Sequence, residues 1–114
     1  MAYDLKLTER IRAAIAGRRN FTELKMFGGV AFMLRGNLCV AIWKDPLILR
    51  LGLEQAEEAL REPFVRDFDI TGKPMRGWVL VSAEGVADDD DLSVWLERAV
   101  QFVRKLPAKV KHPR

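Results

Sequence analysis

The side chains that most often carry catalysis are few in this sequence. Cys39 is the single cysteine and His112 the single histidine. Cys39 lies within an apolar run, where a thiol is usually an inert, buried side chain with a raised pKa. A zinc site needs four protein ligands, or three and a water molecule, which one cysteine and one histidine do not supply. We therefore predict neither a cysteine nucleophile nor a Cys/His zinc site.

The carboxylates are placed for structure and not for acid–base chemistry. Asp67 and Asp69 alternate with apolar residues, as on an exposed edge strand whose charges oppose aggregation. The consecutive acids of residues 88–91 precede a periodic apolar segment and predict a helix N-terminus, which carboxylates stabilise. The sequence has no Gly-rich phosphate loop and no serine-nucleophile motif. We predict no catalytic residue, no metal ligand and no cofactor, and so a protein that is not an enzyme.

Basic side chains at predicted strand ends and turns are the remaining candidates for binding. We predict that a protein partner or an anion binds among five of them: Lys25, Arg35, Arg50, Lys73 and Arg76. Strand alternation places Arg50 beside Ile48 on an otherwise apolar face. A cation on such a face pairs across an interface, binds an anion, or extends into water. The sequence leaves these three alternatives open.

The spacing of apolar residues predicts the element order α-β-β-β-β-α-β-β-α, with Asp4 as the N-cap of the first helix. Helices are predicted at 5–17, at 53–62 and from the acidic run at 88–91 to Pro107, and strands at 22–27, 30–34, 38–43, 47–51, 66–70 and 78–82. Short connections between successive strands favour antiparallel pairing, because parallel pairs need a long crossover. The pattern predicts an α+β, two-layer domain with an antiparallel sheet of five to six strands and helices mainly on one face.

Three consecutive predicted strands carry apolar residues on both of their faces. Three helices of this length cover one face of such a sheet, so the second face needs its own cover. That cover is either a strong curvature of the sheet with help from the second helix and loops, or a protein partner such as a second copy of the chain. The predicted interface consists of Cys39, Ala41, Trp43, Ile48 and Arg50.

The formal net charge of +3 is unevenly distributed along the 114 residues. Residues 104–114 contain five basic side chains and no acidic one, so the excess of positive charge lies at the C-terminus. We therefore predict one domain in residues 1–106 and a basic tail in 107–114. A body without a basic stripe argues against a nucleic-acid-binding domain. We therefore predict a non-enzymatic protein-interaction module with a regulatory role. The alternative function is a nucleic-acid-associated module, with weak binding through residues 108–114, Arg18 and Arg19.

The composition is that of an ordinary globular protein, with 49% hydrophobic and 31% charged residues. No apolar run reaches the length of a membrane span, and the first residues lack the apolar segment of a signal peptide. We therefore predict a cytoplasmic protein with no membrane partner.

One run of the sequence resembles a known family. Residues 25–33 read Lys-Met-Phe-Gly-Gly-Val-Ala-Phe-Met, which is similar to the signature of the N-terminal domain of the TfoX/Sxy competence regulators. The segments 35–37, 49–52 and 75–78 and a final helix containing Trp95 follow in the family's order, so the resemblance covers nearly the whole chain. It implies a two-layer fold similar to that of secretion chaperones, and regulation of competence genes through partner proteins.

The resemblance also has a limit and a structural explanation. Full-length regulators of this family carry a second, helical domain that residues 1–114 do not include, so we expect only part of their regulatory activity. The pair Gly28-Gly29 predicts a tight hairpin or a bulge, because glycine adopts positive φ without strain. No Gly-Lys-Ser/Thr sequence follows, which argues against a phosphate loop. Met26, Phe27 and Phe32 are expected in the core.

Overall fold

The computed structural model describes residues 4–26, 28–69, 72 and 75–108, and in these the predicted order of elements is confirmed. The helices are α1 (Leu5–Ile15), α2 (Leu53–Ala59) and α3 (Asp89–Val103), and a 3-10 turn at Ala83–Val86 precedes α3. The strands are β1 (Phe21–Met26), β2 (Gly29–Leu34), β3 (Asn37–Ile42), β4 (Leu47–Arg50), β5 (Val65–Asp67) and β6 (Trp78–Val81).

The strands form one antiparallel sheet in the order β1-β2-β3-β4-β6-β5. A two-residue connection joins β1 to β2, and Gly28 occupies it with a φ of 77°. Gly29 lacks space for a side chain, because a Cβ there would overlap the carbonyl oxygen of Ile42. The glycine pair therefore makes the hairpin that the sequence predicts.

Both long helices begin at the predicted aspartate caps. Asp4 Oδ1 accepts a hydrogen bond from the Leu7 N–H at 3.0 Å, and Asp88 Oδ1 accepts one from the Asp90 N–H at 2.8 Å. The acids that follow Asp88 fill the first turn of α3, where they favour the positive end of the helix dipole. Arg10 of α1 donates to Asp89 at 2.8 Å, which ties the start of α3 to α1.

The core lies between the helices and one face of the sheet. Alternate strand residues supply the sheet side, and one stripe of each helix supplies the other side. The sheet contributes Val30, Phe32, Leu34, Val40, Ile42, Leu47, Leu49, Val79 and Val81, and the helices contribute Leu7, Ile11, Ile15, Ala56, Ala59, Leu92, Trp95, Leu96, Ala99, Val100 and Val103. The expected two-layer α+β architecture, with helices on one face, is thus confirmed.

A bulge in β3 changes the side of the sheet on which Cys39 lies. Phe32 pairs with Val40, but the next residue of β2, Met33, pairs with Leu38, so Cys39 has no residue opposite it. Such an extra residue breaks the alternation of faces. Cys39 is fully buried in the core beneath the helices. The expectation that Cys39 shares the second face of the sheet with Ala41 is therefore wrong.

Candidate interaction surface

The face of the sheet that points away from the core, here called the open face, is built from one continuous cross-strand row. Successive register pairs join six residues, one from each strand: Leu24, Ala31, Ala41, Ile48, Leu80 and Arg66. Five of the six are apolar. Ala31 and Ile48, in the middle of the sheet, are buried, whereas Leu24 on the edge strand is 43% exposed.

Further residues extend the open face on both sides of this row. Thr22, Met33 and Leu38 pair across the first three strands. Met26 also lies on this face and is 37% exposed, although the sequence placed it in the core. The reason is its register: Met26 pairs with Gly29, in the alternate set of β1 residues that points away from the helices. Of the other two residues expected in the core, Phe32 is buried there, and Phe27 lies outside the described residues.

Arg50 lies at the border of the open face and stacks on an aromatic ring. It pairs with Trp78 of β6, and its guanidinium carbon is 5.3 Å from the centroid of the Trp78 ring. Phe68 packs against the same ring with the centroids 6.0 Å apart. A cation over an aromatic face is stabilised by the ring quadrupole. The Trp78 ring is therefore a partner of the Arg50 guanidinium, whose partner the sequence left open.

The charged strand residues on the open face are cations. Arg50 and Arg66 occupy its strand positions, and Lys44 Nζ lies 4.6 Å from the ring centroid of Trp43, directly after β3. Among the strand residues of the described chain, no aspartate or glutamate points to this face. The surface therefore has an apolar centre and a basic margin.

The structure separates the five residues of the predicted interface. Ala41, Ile48 and Arg50 share the open face, and Trp43 follows the end of β3 at its margin. Cys39 lies on the core side, where burial withdraws a thiolate from water and raises the pKa of the thiol to about 12. A thiol with such a pKa stays protonated and unreactive at neutral pH.

The five predicted basic candidates do not form one cluster. Arg50 and Arg76 line a shallow recess of ≈ 160 Å³ with Leu53 and Trp78. Arg35 lies in the β2–β3 turn and donates to the carbonyl oxygen of Arg104 at 3.3 Å. Lys25 lies on edge strand β1, and Lys73 lies outside the described residues.

The β2–β3 turn contacts both the connection between α1 and β1, which carries Arg18 and Arg19, and the residues that follow α3. The Arg35 N–H donates to the Asn20 carbonyl at 2.9 Å, and the Asn37 side chain donates to the Pro107 carbonyl at 2.9 Å. The β2–β3 turn therefore contacts both Asn20, which follows Arg18 and Arg19, and Pro107, where the predicted tail begins. Arg18 forms an ion pair with Glu97 of α3, and residues 109–114 of the predicted tail lie outside the described residues.

Comparison with known protein families identifies the family of this chain. The model of the TfoX N-terminal domain matches residues 13–103, which include every strand of the sheet, α2, α3 and the last turn of α1. The chain belongs to the TfoX N-terminal domain family. This is a family of regulatory domains, and no curated protein and no solved structure matches the chain.

The family signature of this TfoX N-terminal domain has a structural role in the chain. Its glycine pair makes the β1–β2 hairpin, and Val30 and Phe32 enter the core. The later motif at 75–78 ends in Trp78, the residue on which Arg50 stacks. The signature and the later motif therefore lie in β1, β2 and β6, the strands that contribute Leu24, Ala31 and Leu80 to the open face.

Sequence reasoning missed the outer parts of the open face. Leu24, Met26 and Leu80 belong to it, but they come from β1 and β6, which the sequence does not show to flank β2 and β4 in one sheet. A signal was present in β1, where Thr22, Leu24 and Met26 alternate with Glu23 and Lys25. That alternation indicates a strand with one apolar face.

Two further features concern ligands and membranes. Within the described ranges, no group of three or more histidine, cysteine, aspartate or glutamate residues is arranged to hold a metal ion. No helix in the same ranges is long and apolar enough to cross a membrane.

Proposed function

We propose that this TfoX N-terminal domain is a non-catalytic regulatory module that acts by binding another protein on the open face. The observation that carries the proposal is the cross-strand row from Leu24 to Leu80, whose apolar side chains lie on the side of the sheet opposite the helices. Apolar side chains exposed on such a face, here Leu24 and Met26, mark interaction sites in folded proteins.

The charges around the row select the chemistry of the partner. Arg50, Arg66 and Lys44 form a basic margin, and the strand residues facing the same side include no carboxylate among those described. Electrostatic complementarity therefore favours a protein surface with an apolar centre and carboxylates at its rim. Family membership supports a regulatory role for the complex, and we place it in the control of competence genes in the cytoplasm.

Site-specific photo-crosslinking in the native host tests where a partner binds. A photoreactive residue in place of Leu80 samples the open face, and the same residue in place of Val94, which is 57% exposed on α3, samples the helix layer. We expect a protein to be crosslinked from position 80 and not from position 94.

The captured protein is then purified and its affinity is measured by calorimetry. Leu80→Glu should weaken binding at least about tenfold, because a carboxylate would be desolvated at the apolar centre of the interface. Val94→Glu introduces the same charge on the opposite layer and should leave the affinity unchanged. An affinity that falls with Val94→Glu and not with Leu80→Glu would contradict binding on the open face.

Nucleic-acid binding is the second candidate function, and one observation favours it. The β2–β3 turn hydrogen-bonds both to Asn20, which follows Arg18 and Arg19, and to Arg104 and Pro107, at the start of the basic tail. A gel-shift titration of duplex DNA over a range of salt concentrations tests this alternative. We expect weak binding that disappears on removal of residues 108–114. Tight, sequence-selective binding by the shortened chain would favour a nucleic-acid function instead.

A further inference from the structure

The two edges of the sheet differ in a way that affects association. Edge strand β5 has three residues, whereas edge strand β1 has six and pairs with β2 without a register shift. Proteins commonly protect sheet edges with short strands, bulges, proline or charged side chains. β1 is not short, bulged or interrupted by proline, and its two charged residues, Glu23 and Lys25, are opposite in sign. Its residues 22–26 are exposed, and in the described part of the chain no strand lies beside its outer edge.

The hydrogen-bonding pattern shows which backbone groups of β1 face outward. The Arg35 N–H donates to the Asn20 carbonyl, so the pair Asn20–Arg35 is a hydrogen-bonded pair of the hairpin. Antiparallel partners alternate between hydrogen-bonded and non-hydrogen-bonded pairs. Residues 22, 24 and 26 therefore direct their N–H and C=O groups to β2. Phe21, Glu23 and Lys25 direct theirs to the free edge.

We propose that β1 pairs antiparallel with β1 of a second copy of the chain, about a two-fold axis at Leu24. This register places Glu23 of each copy opposite Lys25 of the other. Both residues have outward-facing backbone groups, so the same pairs form hydrogen bonds and opposite-charge contacts. The two neighbouring registers that use these groups place Glu23 opposite Glu23 or Lys25 opposite Lys25, and like charges opposed in this way are destabilising.

The side chains of β1 suit this pairing on both faces of the sheet. On the open face, Leu24 meets Leu24 and Thr22 meets Met26, which covers the exposed apolar side chains of the edge. On the helix side, Glu23 is already oriented by Arg12, whose Nε and Nη2 donate to its two carboxylate oxygens at 2.9 and 2.6 Å. The partner's ammonium group therefore approaches a carboxylate that is held in place.

The dimer goes beyond the proposed function, because it uses the edge of the sheet and covers only the β1 side chains of the open face, leaving the row from Ala31 to Leu80 free. Pairing at β1 would join two six-stranded sheets into one and set two open faces side by side. A partner with two matching segments would then bind with an avidity that a single domain does not reach.

A charge-reversal experiment by sedimentation equilibrium tests the register. We expect the wild type to be a dimer at micromolar concentration, and Lys25→Glu and Glu23→Lys each to be monomeric, because each homodimer would carry two like-charge pairs. An equimolar mixture of the two variants should form a heterodimer, because both opposite-charge pairs are restored between unlike chains. This recovery also shows that both variants are folded.

Three results would overturn the proposal. They are a wild type that stays monomeric at submillimolar concentration, a Lys25→Glu variant that dimerises as well as the wild type, and a mixture that fails to associate. Lys105→Glu makes the same charge change after α3 and should leave the dimer intact. Leu80→Glu should also leave it intact, so that loss of partner binding is distinguishable from loss of the dimer.

Discussion

Replacement of Trp95 by alanine tests the packing of the longest helix against the sheet. Trp95 lies in the middle of α3, is 6% exposed, and belongs to the core that the helices form with the inner face of the sheet. Arg98 covers the outer side of the ring, with its guanidinium carbon 4.3 Å from the ring centroid. Truncation at this position leaves a cavity that its neighbours fill only in part.

The expected loss is a large part of the total stability. Truncation of a buried tryptophan to alanine costs about 3–5 kcal/mol, while the free energy of unfolding of a single domain is about 5–15 kcal/mol. For a chain of this size the melting temperature should fall by about 4 °C for each kcal/mol, and so by roughly 12–20 °C in total. Trp95→Phe keeps most of the volume and should lose less.

Urea unfolding followed by far-ultraviolet circular dichroism measures this loss, because the variant changes the tryptophan fluorescence directly. The matched control is Val94→Ala, on the adjacent exposed position of the same helix, with an expected change within about 0.5 kcal/mol. Arg98→Ala is less suitable, because Arg98 contacts the Trp95 ring and donates to Glu62 at 2.8 Å. Equal midpoint shifts for Trp95→Ala and Val94→Ala would show that the face assigned to α3 is wrong.

Three further predictions concern the inner face, the hairpin and a helix cap. Burial raises the pKa of Cys39 from its ordinary 9.0 to about 12, so above pH 9 the thiol ionises in the unfolded chain but not in the folded one. The free energy of unfolding should therefore fall from pH 9 to 12, and less steeply in Cys39→Ala. Alkylation of Cys39 in the native protein at about pH 8 would refute this. Gly29→Ala should destabilise the hairpin, because its Cβ would overlap the Ile42 carbonyl oxygen; an unchanged melting temperature would contradict that close approach. Asp4→Ala should cost about 1 kcal/mol in chemical denaturation by leaving the Leu7 N–H without its cap, whereas Asp4→Asn should retain most of it.

Local pattern in the sequence was sufficient for the elements and their order. The acids at 88–91 marked the start of α3, and Asp4 marked that of α1, because capping depends on residues within one helical turn. The strands around Gly28-Gly29 followed from alternation and from the turn chemistry of glycine. Short connections then made antiparallel pairing of the first four strands the natural outcome.

Tertiary structure alone decided which residues share the open face. The sequence does not reveal that β6 inserts between β4 and β5, and this order brings Leu80 beside Ile48 and Trp78 beside Arg50. Nor does it reveal the bulge, which turns Cys39 into the core against simple alternation. Periodicity reports how each residue relates to its neighbours along the chain. Strand order, bulges and contacts between distant residues depend on how the whole sheet pairs and packs, so they appeared only in the folded domain.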